Sequence, residues 1–340
     1  MVLKGRNPLK DASLSHAAAM VTVTTTVFIP DLRDYWDESL EVLRICLGSL
    51  LHNTPRPFDL VVFDNGSCKE VREYLLDLFG KGSISHLHLS ADNIGKAAAV
   101  NLMFAAAESE YVVYTDSDVA FRPGWLEGSI KIFEAFGKVG MVSGRPWRPM
   151  GEADEYLYRV NAKLAGQASG VKIKRGDLIP ADVLEEHARS IGLPAPKVRL
   201  GSYEDLLLTR NDINALGFGS HFQYMTRKDV IKEAGPLGVG TSGLSKAERK
   251  WDERLAELGY LRLALEKPLV YHMGNTLVGE NIEELRQLSH IEIVAGNNDR
   301  ERPRDPLASV FALLAGVKWM KSILHRIQRS LFEALTFRAK

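Results

Sequence analysis

Residues 111–118 read YVVYTDSD: five aromatic or β-branched residues, Tyr111 to Thr115, run without a break into Asp116-Ser117-Asp118. Such a run has the composition of a buried strand, and the acidic triplet sits where the chain leaves it. Upstream, Lys96 to Ala107 is an alanine-rich helical segment, Ile84 to Leu89 a strand and Glu70 to Phe79 a helix. Asp59 to Phe63 (DLVVF) is a further strand, stopped by the turn sequence Asp64-Asn65-Gly66-Ser67. Leu40, Leu43, Leu47, Leu50 and Leu51 make a helical stripe, and Val21 to Ile29 (VTVTTTVFI) is a strand closed by Pro30. This alternation predicts an α/β fold, a Rossmann-like, mostly parallel sheet with helices on both faces. Ligands of such sheets bind beyond the carboxyl ends of the strands.

The strand-end residues therefore belong to one rim, and its chemistry can be read. Asp116 and Asp118, two positions apart, can converge on one Mg²⁺ or Mn²⁺, cations that take oxygen ligands together with substrate phosphate. The same triplet is equally an ordinary acidic turn. His272, in VYHMGN after another predicted strand, is an acceptable nitrogen ligand or a hydrogen-bonded structural residue. Asn93-Ile94-Gly95-Lys96, with Asn101 beyond, opens a helix whose backbone N–H groups and lysine favour an anion; the alternative is a plain helix start. Asp64 either holds its own turn or bonds a nucleobase edge.

Past Arg145 the pattern loosens. Residues 145–215 show a helix from Ala181 to Ile191 and a basic run, Lys172 to Arg175, read here as a mobile lid or solvated loop. The glycine-rich Gly238 to Gly243 stretch carries the same pair of readings. Phe222 to Thr226, Arg227 to Ala234 and Lys246 to Leu258 complete the regular elements. Trp147, Tyr156, Tyr158, Tyr203, Phe218, Phe222, Tyr224 and Trp251 are aromatic candidates for an acceptor groove or for core.

The chain of 340 residues balances 43 Lys+Arg against 43 Asp+Glu. The balance is not uniform: residues 303–340 hold seven basic side chains against Asp305 and Glu333, a charge of +5, which leaves −5 for residues 1–302. A mildly acidic body argues against a nucleic-acid partner. Cys46 and Cys68 are too few for a disulfide framework, and the N-terminal residues lack a continuous apolar signal core. The expected location is cytoplasmic, including the inner face of the plasma membrane. The apolar positions from Val310 to Leu335 recur at three- and four-residue spacing, an amphipathic basic helix suited to intramolecular packing, a homodimer or peripheral membrane contact.

In order and spacing, the strand ending at Pro30, the DNGS turn, N-x-G-K at Asn93 to Lys96 with Asn101, and TDSD at Thr115 to Asp118 resemble the nucleotide-sugar-dependent glycosyltransferases of family 2. The resemblance covers residues 20–275 and implies the GT-A fold. It divides the chain into an N-terminal arm (1–20), a nucleotide-sugar half (21–145), a smaller acceptor-side and catalytic half (146–302) and the C-terminal helix (303–340). By resemblance, Thr25, Pro30 and Asp64 hold the uracil or guanine nucleoside, and Asn93, Gly95 and Lys96 line its pocket. Asp116 contacts ribose, sugar or metal, while Asp118 and His272 hold Mn²⁺ or Mg²⁺. The family's general base, usually in a Glu-Asp pair, maps onto SKAERKWDERLAELGY, which lacks that pair. Asp252 is the preferred base, with Glu248 and Glu253 as alternatives, and Glu204-Asp205 fits an acceptor-side loop. The implied reaction moves a sugar from a UDP- or GDP-sugar donor to a hydroxyl of a glycan or lipid-linked acceptor, with inversion, in cell-surface or exopolysaccharide synthesis. A retaining transferase, a sugar-phosphate nucleotidyltransferase and a non-catalytic nucleotide-binding module are the competing readings.

Overall fold

In a computed structural model, residues 18–149, 152–193, 204–238 and 244–277 are described, with position 287. The described stretches up to residue 287 belong to one compact unit, Ala18–Gly296. The basic 303–340 segment, Tyr203, the N-terminal arm up to residue 17 and most of the Gly238 to Gly243 stretch lie outside the described residues.

The first half follows the predicted alternation: β1 (Val21–Val27), α1 (Ser39–Asn53), β2 (Asp59–Asp64), α2 (Lys69–Gly80), β3 (His86–Leu89), α3 (Lys96–Ala106) and β4 (Tyr111–Asp116). A short β5 (Val119–Phe121), α4 (Trp125–Ala135) and β6 (Val139–Ser143) follow. The second half comprises α5 (Glu152–Gln167), β7 (Lys172–Gly176), α6 (Ala181–Ser190), β8 (Asp205–Arg210), β9 (Ile213–Leu216), β10 (Gln223–Arg227), α7 (Lys228–Ala234), α8 (Leu244–Glu257), β11 (Leu261–Ala264) and β12 (Val270–His272).

A ten-stranded sheet runs β3-β2-β1-β4-β10-β6-β11-β9-β8-β7. β1 pairs in parallel with β2 and β4, and β2 with β3, while β10 enters antiparallel between β4 and β6. Alternating side chains fill two layers. Val23, Leu60, Val62 and Val113 pack with Leu43, Leu47 and Leu50 of α1 and Leu75 of α2. Val61, Phe63, Val112 and Tyr114 pack on the opposite face with Val100, Met103 and Phe104 of α3 and Trp251 and Leu255 of α8. The helices thus cover both faces, as expected.

The ladder also fixes the rim. Val27 stands opposite Asp64, and Thr26 opposite Asp116, so the ends of β1, β2 and β4 are level. A separate two-stranded ladder of β12 on β5 sets His272 opposite Val119, next to Asp118.

Two expectations are corrected. The basic run Lys172 to Arg175 is no lid: it forms β7, an edge strand paired along its length with β8. Glu204-Asp205 is no acceptor loop either, because Asp205 begins β8 and is buried. Its carboxylate accepts from Arg148 Nε at 2.7 Å and from the backbone N–H groups of Leu178 and Ile179 at 2.8 and 2.9 Å. Asp205 ties segments of the fold together.

Candidate active site

Three clusters of polar side chains meet the rim. The first surrounds the carboxyl end of β2. Asp64 is completely buried; Oδ1 accepts from the Ser67 N–H at 3.0 Å and Oδ2 from Arg72 Nε at 2.9 Å. Asn65, also buried, receives the Ile94 N–H at 2.9 Å and donates to Asn93 Oδ1 at 2.9 Å, the oxygen that also accepts the Gly95 N–H at 2.8 Å. The two loops must approach closely, and Gly66 permits it: a Cβ there would lie 3.0 Å from the Asp92 carbonyl carbon, and its φ is +93°. Gly95, at φ +86°, then turns the chain into α3. Thr25 is completely buried in β1 behind this rim, whereas Pro30 is exposed upon it.

The second cluster centres on Lys96. Its Nζ lies 2.6 Å from Asp116 Oδ1 and 3.5 Å from Glu248, and sits 5.0 Å from the centre of the Tyr114 ring. Burial works against the ammonium charge, but Asp116 and Glu248 outweigh it and hold the pKa above the ordinary lysine value. Glu248 thus reaches the rim and pairs with a lysine.

The third cluster lies at the end of β4 and β12. His272 Nε2 is 3.3 Å from Asp118 Oδ2, and the other oxygen of Asp118 is buried without a hydrogen-bond partner. The Ser190 hydroxyl donates to the His187 carbonyl at 2.8 Å, so it accepts from His272 Nδ1 at 3.1 Å. This directs Nε2 toward Asp118, the orientation that a hydrogen bond at Nδ1 gives a metal-binding imidazole. Burial opposes protonation of His272, yet its bond to Asp118 raises its pKa above the usual value. Among the described residues no three His, Cys, Asp or Glu side chains converge as a ready cation cage. An unpartnered carboxylate oxygen beside an oriented imidazole nevertheless fits Mg²⁺ or Mn²⁺, whose remaining positions go to water and phosphate oxygens.

Beside this third cluster opens a cavity of about 240 Å³, lined by Trp147, His187, Phe218, His221, Phe222 and His272 among others. The aromatic candidates therefore divide. Trp147, Phe218 and Phe222 face the cavity, Tyr224 and Trp251 fill the core, Tyr156 is exposed, and the Tyr158 hydroxyl bonds the Glu204 carbonyl.

Asp252 stands behind the cavity on α8 and is 2% exposed. His221 Nε2 lies 2.7 Å from its Oδ2 and Arg262 Nη2 3.2 Å from the same atom, while Oδ1 is buried without a partner. Glu253, half-buried, takes no part in the described bonds of this cluster. His221 and Arg262 carry no motif, which is why sequence reasoning missed them.

Residues 35–181 match the family model described as Glycosyl transferase family 2. Over those residues the chain is similar to the family 2 glycosyltransferases. The family 2 match contains Asp64, Asn93, Gly95, Lys96, Asp116 and Asp118; His221, Asp252, Arg262 and His272 follow it in the chain. The α/β sheet with helices on both faces bears out the GT-A architecture that the resemblance implies. An uncharacterized glycosyltransferase of a Nostoc species is 27% identical over 100 residues, which is 29% of this chain and 31% of that protein. The match thus spans about a third of that relative's length. Among solved structures, S. aureus TarS aligns with a TM-score of 0.43 at 13% identity, over 74% of this chain and 60% of that one. GalNAc-T7, solved with UDP, GalNAc and Mn²⁺, aligns with a TM-score of 0.47 at 13% identity, over 74% and 43%.

Proposed function

We propose that the protein is a metal-assisted glycosyltransferase that moves a sugar from a UDP- or GDP-sugar to a hydroxyl of a glycan or lipid-linked acceptor. The observation that carries this reading is the family 2 match together with the Asp118 and His272 pair at the strand-end rim, next to an aromatic-lined cavity. Residues 21–145 serve as the donor half and 146–302 as the acceptor half. Pro30, the Asp64 turn, Asn93, Gly95 and Lys96 frame the nucleotide, with Thr25 and Asp64 acting from beneath as the floor. Asp118 and His272 hold Mg²⁺ or Mn²⁺, with Asp116 beside them, and the cation neutralises charge on the diphosphate when bound. Lys96 orients the same group as a fixed positive charge. Trp147, Phe218 and Phe222 offer apolar faces to an acceptor sugar ring. Proton removal from the acceptor falls to the Asp252 cluster, and inversion follows from direct displacement.

Thermal shift of the full-length protein with UDP-glucose, UDP-N-acetylglucosamine and GDP-mannose, each with and without Mn²⁺, tests the binding half of this reading. A donor that raises the melting temperature more in the presence of Mn²⁺ than in its absence supports it. No shift with any nucleotide sugar under either condition contradicts it.

A further inference from the structure

His221 lies two residues before β10 in the segment Gly217-Phe218-Gly219-Ser220-His221-Phe222. This segment is clamped. A Cβ on Gly219 would come within 2.5 Å of Ser143 Cβ, and one on Gly217 within 2.9 Å of Leu206 Cβ, so the backbone lies directly on the sheet. Pro146 and Gly219 form a β-bridge, and the Asp116 N–H donates to the Phe222 carbonyl at 2.7 Å, which ties the segment to the acidic strand end.

The clamp presents the His221 ring with its two nitrogens in different surroundings. Nε2 faces the buried Asp252 Oδ2 at 2.7 Å. Arg262 Nη2 also approaches, 3.0 Å from Nε2 and 3.2 Å from the carboxylate oxygen. Arg262 can only donate, so Nε2 has an acceptor and a donor within reach. With the ring proton on Nε2 the shared carboxylate collects both donors and Nδ1 is the basic atom, and with it on Nδ1 the ring accepts from Arg262. The side chain is 26% exposed against 2% for Asp252, and His221, not Asp252, lines the cavity.

We propose that His221 is the catalytic base of the sugar transfer, and that Asp252 is its positioning residue. This rests on the transferase reading above and replaces direct proton transfer to Asp252. As the acceptor oxygen forms its bond to the anomeric carbon, its proton passes to His221 Nδ1. The bond from that carbon to the diphosphate oxygen breaks, and its electron pair leaves with the nucleoside diphosphate. The imidazolium is held against Asp252 until its proton passes to water. Besides Asp252 and Arg262 at Nε2, the ring meets Tyr224, and Asp154, His187 and His272 share the cavity from α5, α6 and β12.

Two readouts on the full-length protein decide the proposal, and the first needs no donor. In ¹⁵N-histidine-labelled protein, assigned by the signal lost in His221→Gln, wild-type His221 shows the Nε2–H tautomer and Asp252→Asn shows a changed tautomer balance. A wild-type His221 protonated on Nδ1 overturns the proposal. The second readout is steady-state release of UDP or GDP with the donor that wild type turns over. His221→Gln lowers kcat by about 10²- to 10⁴-fold and removes the acidic limb of the pH profile, with KM for donor and affinity for free UDP or GDP unchanged. Asp252→Asn lowers kcat less and moves that limb, and Asp252→Glu restores part of the loss. A His221→Gln enzyme within about threefold of wild-type kcat overturns the proposal. A wild type that turns over no nucleotide sugar refutes the transferase reading itself, and His221 as its base falls with it; the tautomer then reports on the ring pair alone.

Discussion

The ammonium of Lys96 and the carboxylate of Asp116 are 2.6 Å apart, and the Tyr114 hydroxyl donates to the same carboxylate oxygen at 2.5 Å. The pair joins the first turn of α3 to the end of β4, so the residue proposed to meet a diphosphate already bridges two walls of its pocket. Lys96→Met leaves Asp116 and Glu248 facing each other without a cation. About a fifth of the lysine side chain is exposed, so the expected loss is about 2 kcal/mol, below the ~3–5 kcal/mol typical of a fully buried broken pair. UDP or GDP affinity falls tenfold or more. Urea denaturation and nucleotide titration measure the two effects, and an unchanged affinity would remove Lys96 from the nucleotide pocket.

Asp118 makes a different prediction because one of its oxygens already lacks a partner. Asp118→Asn keeps the volume and a donor or acceptor toward His272, so the midpoint of urea unfolding stays within about 0.5 kcal/mol of wild type. What disappears is the gain in UDP or GDP affinity produced by Mn²⁺. A variant that retains this gain shows that the cation is held elsewhere.

Legibility in the sequence follows from how local each signal is. β1, β2 and β4 can be read because each is an apolar run that ends on a proline or acidic turn, and those same turns carry Asp64, Asp116 and Asp118. β7 misleads because an edge strand carries lysine and arginine on its open side, so KIKRG looks like a loop. A usable signal for the neighbouring hairpin was present: Asn211-Asp212, at φ +50° and +59°, make the tight turn between β8 and β9. His221 was beyond reach for another reason. Its meaning depends on Asp252 of α8 and Arg262 of β11, residues 31 and 41 positions away that only the tertiary fold assembles.

Asp205 is expected to be structural, in contrast to its exposed neighbour Glu204. Asp205→Ala strips the acceptor from the Arg148 guanidinium and from two backbone N–H groups, an expected loss of about 3–5 kcal/mol. Glu204→Ala stays within about 0.5 kcal/mol. Equal unfolding midpoints for the two variants would contradict the assignment.

Gly219→Ala probes the clamp under His221. The added methyl meets Ser143 Cβ at 2.5 Å, closer than carbon atoms pack, so the segment must shift. About 1–3 kcal/mol of stability is lost. Transfer falls further than donor binding does, since the cavity wall moves while the rim stays. Wild-type stability by denaturation would show that the segment is looser than its contacts indicate.

Sugar transfer assisted by a cation at Asp118 and His272 is tested by the rate of UDP or GDP release from a panel of nucleotide sugars by full-length wild type and Asp118→Asn, with Mn²⁺ present and after chelation. Wild type with Mn²⁺ is expected to release nucleotide from at least one donor, at a rate reduced a hundredfold or more by either the substitution or chelation. Nucleotide release that is the same in all conditions and in both proteins would contradict cation-assisted transfer.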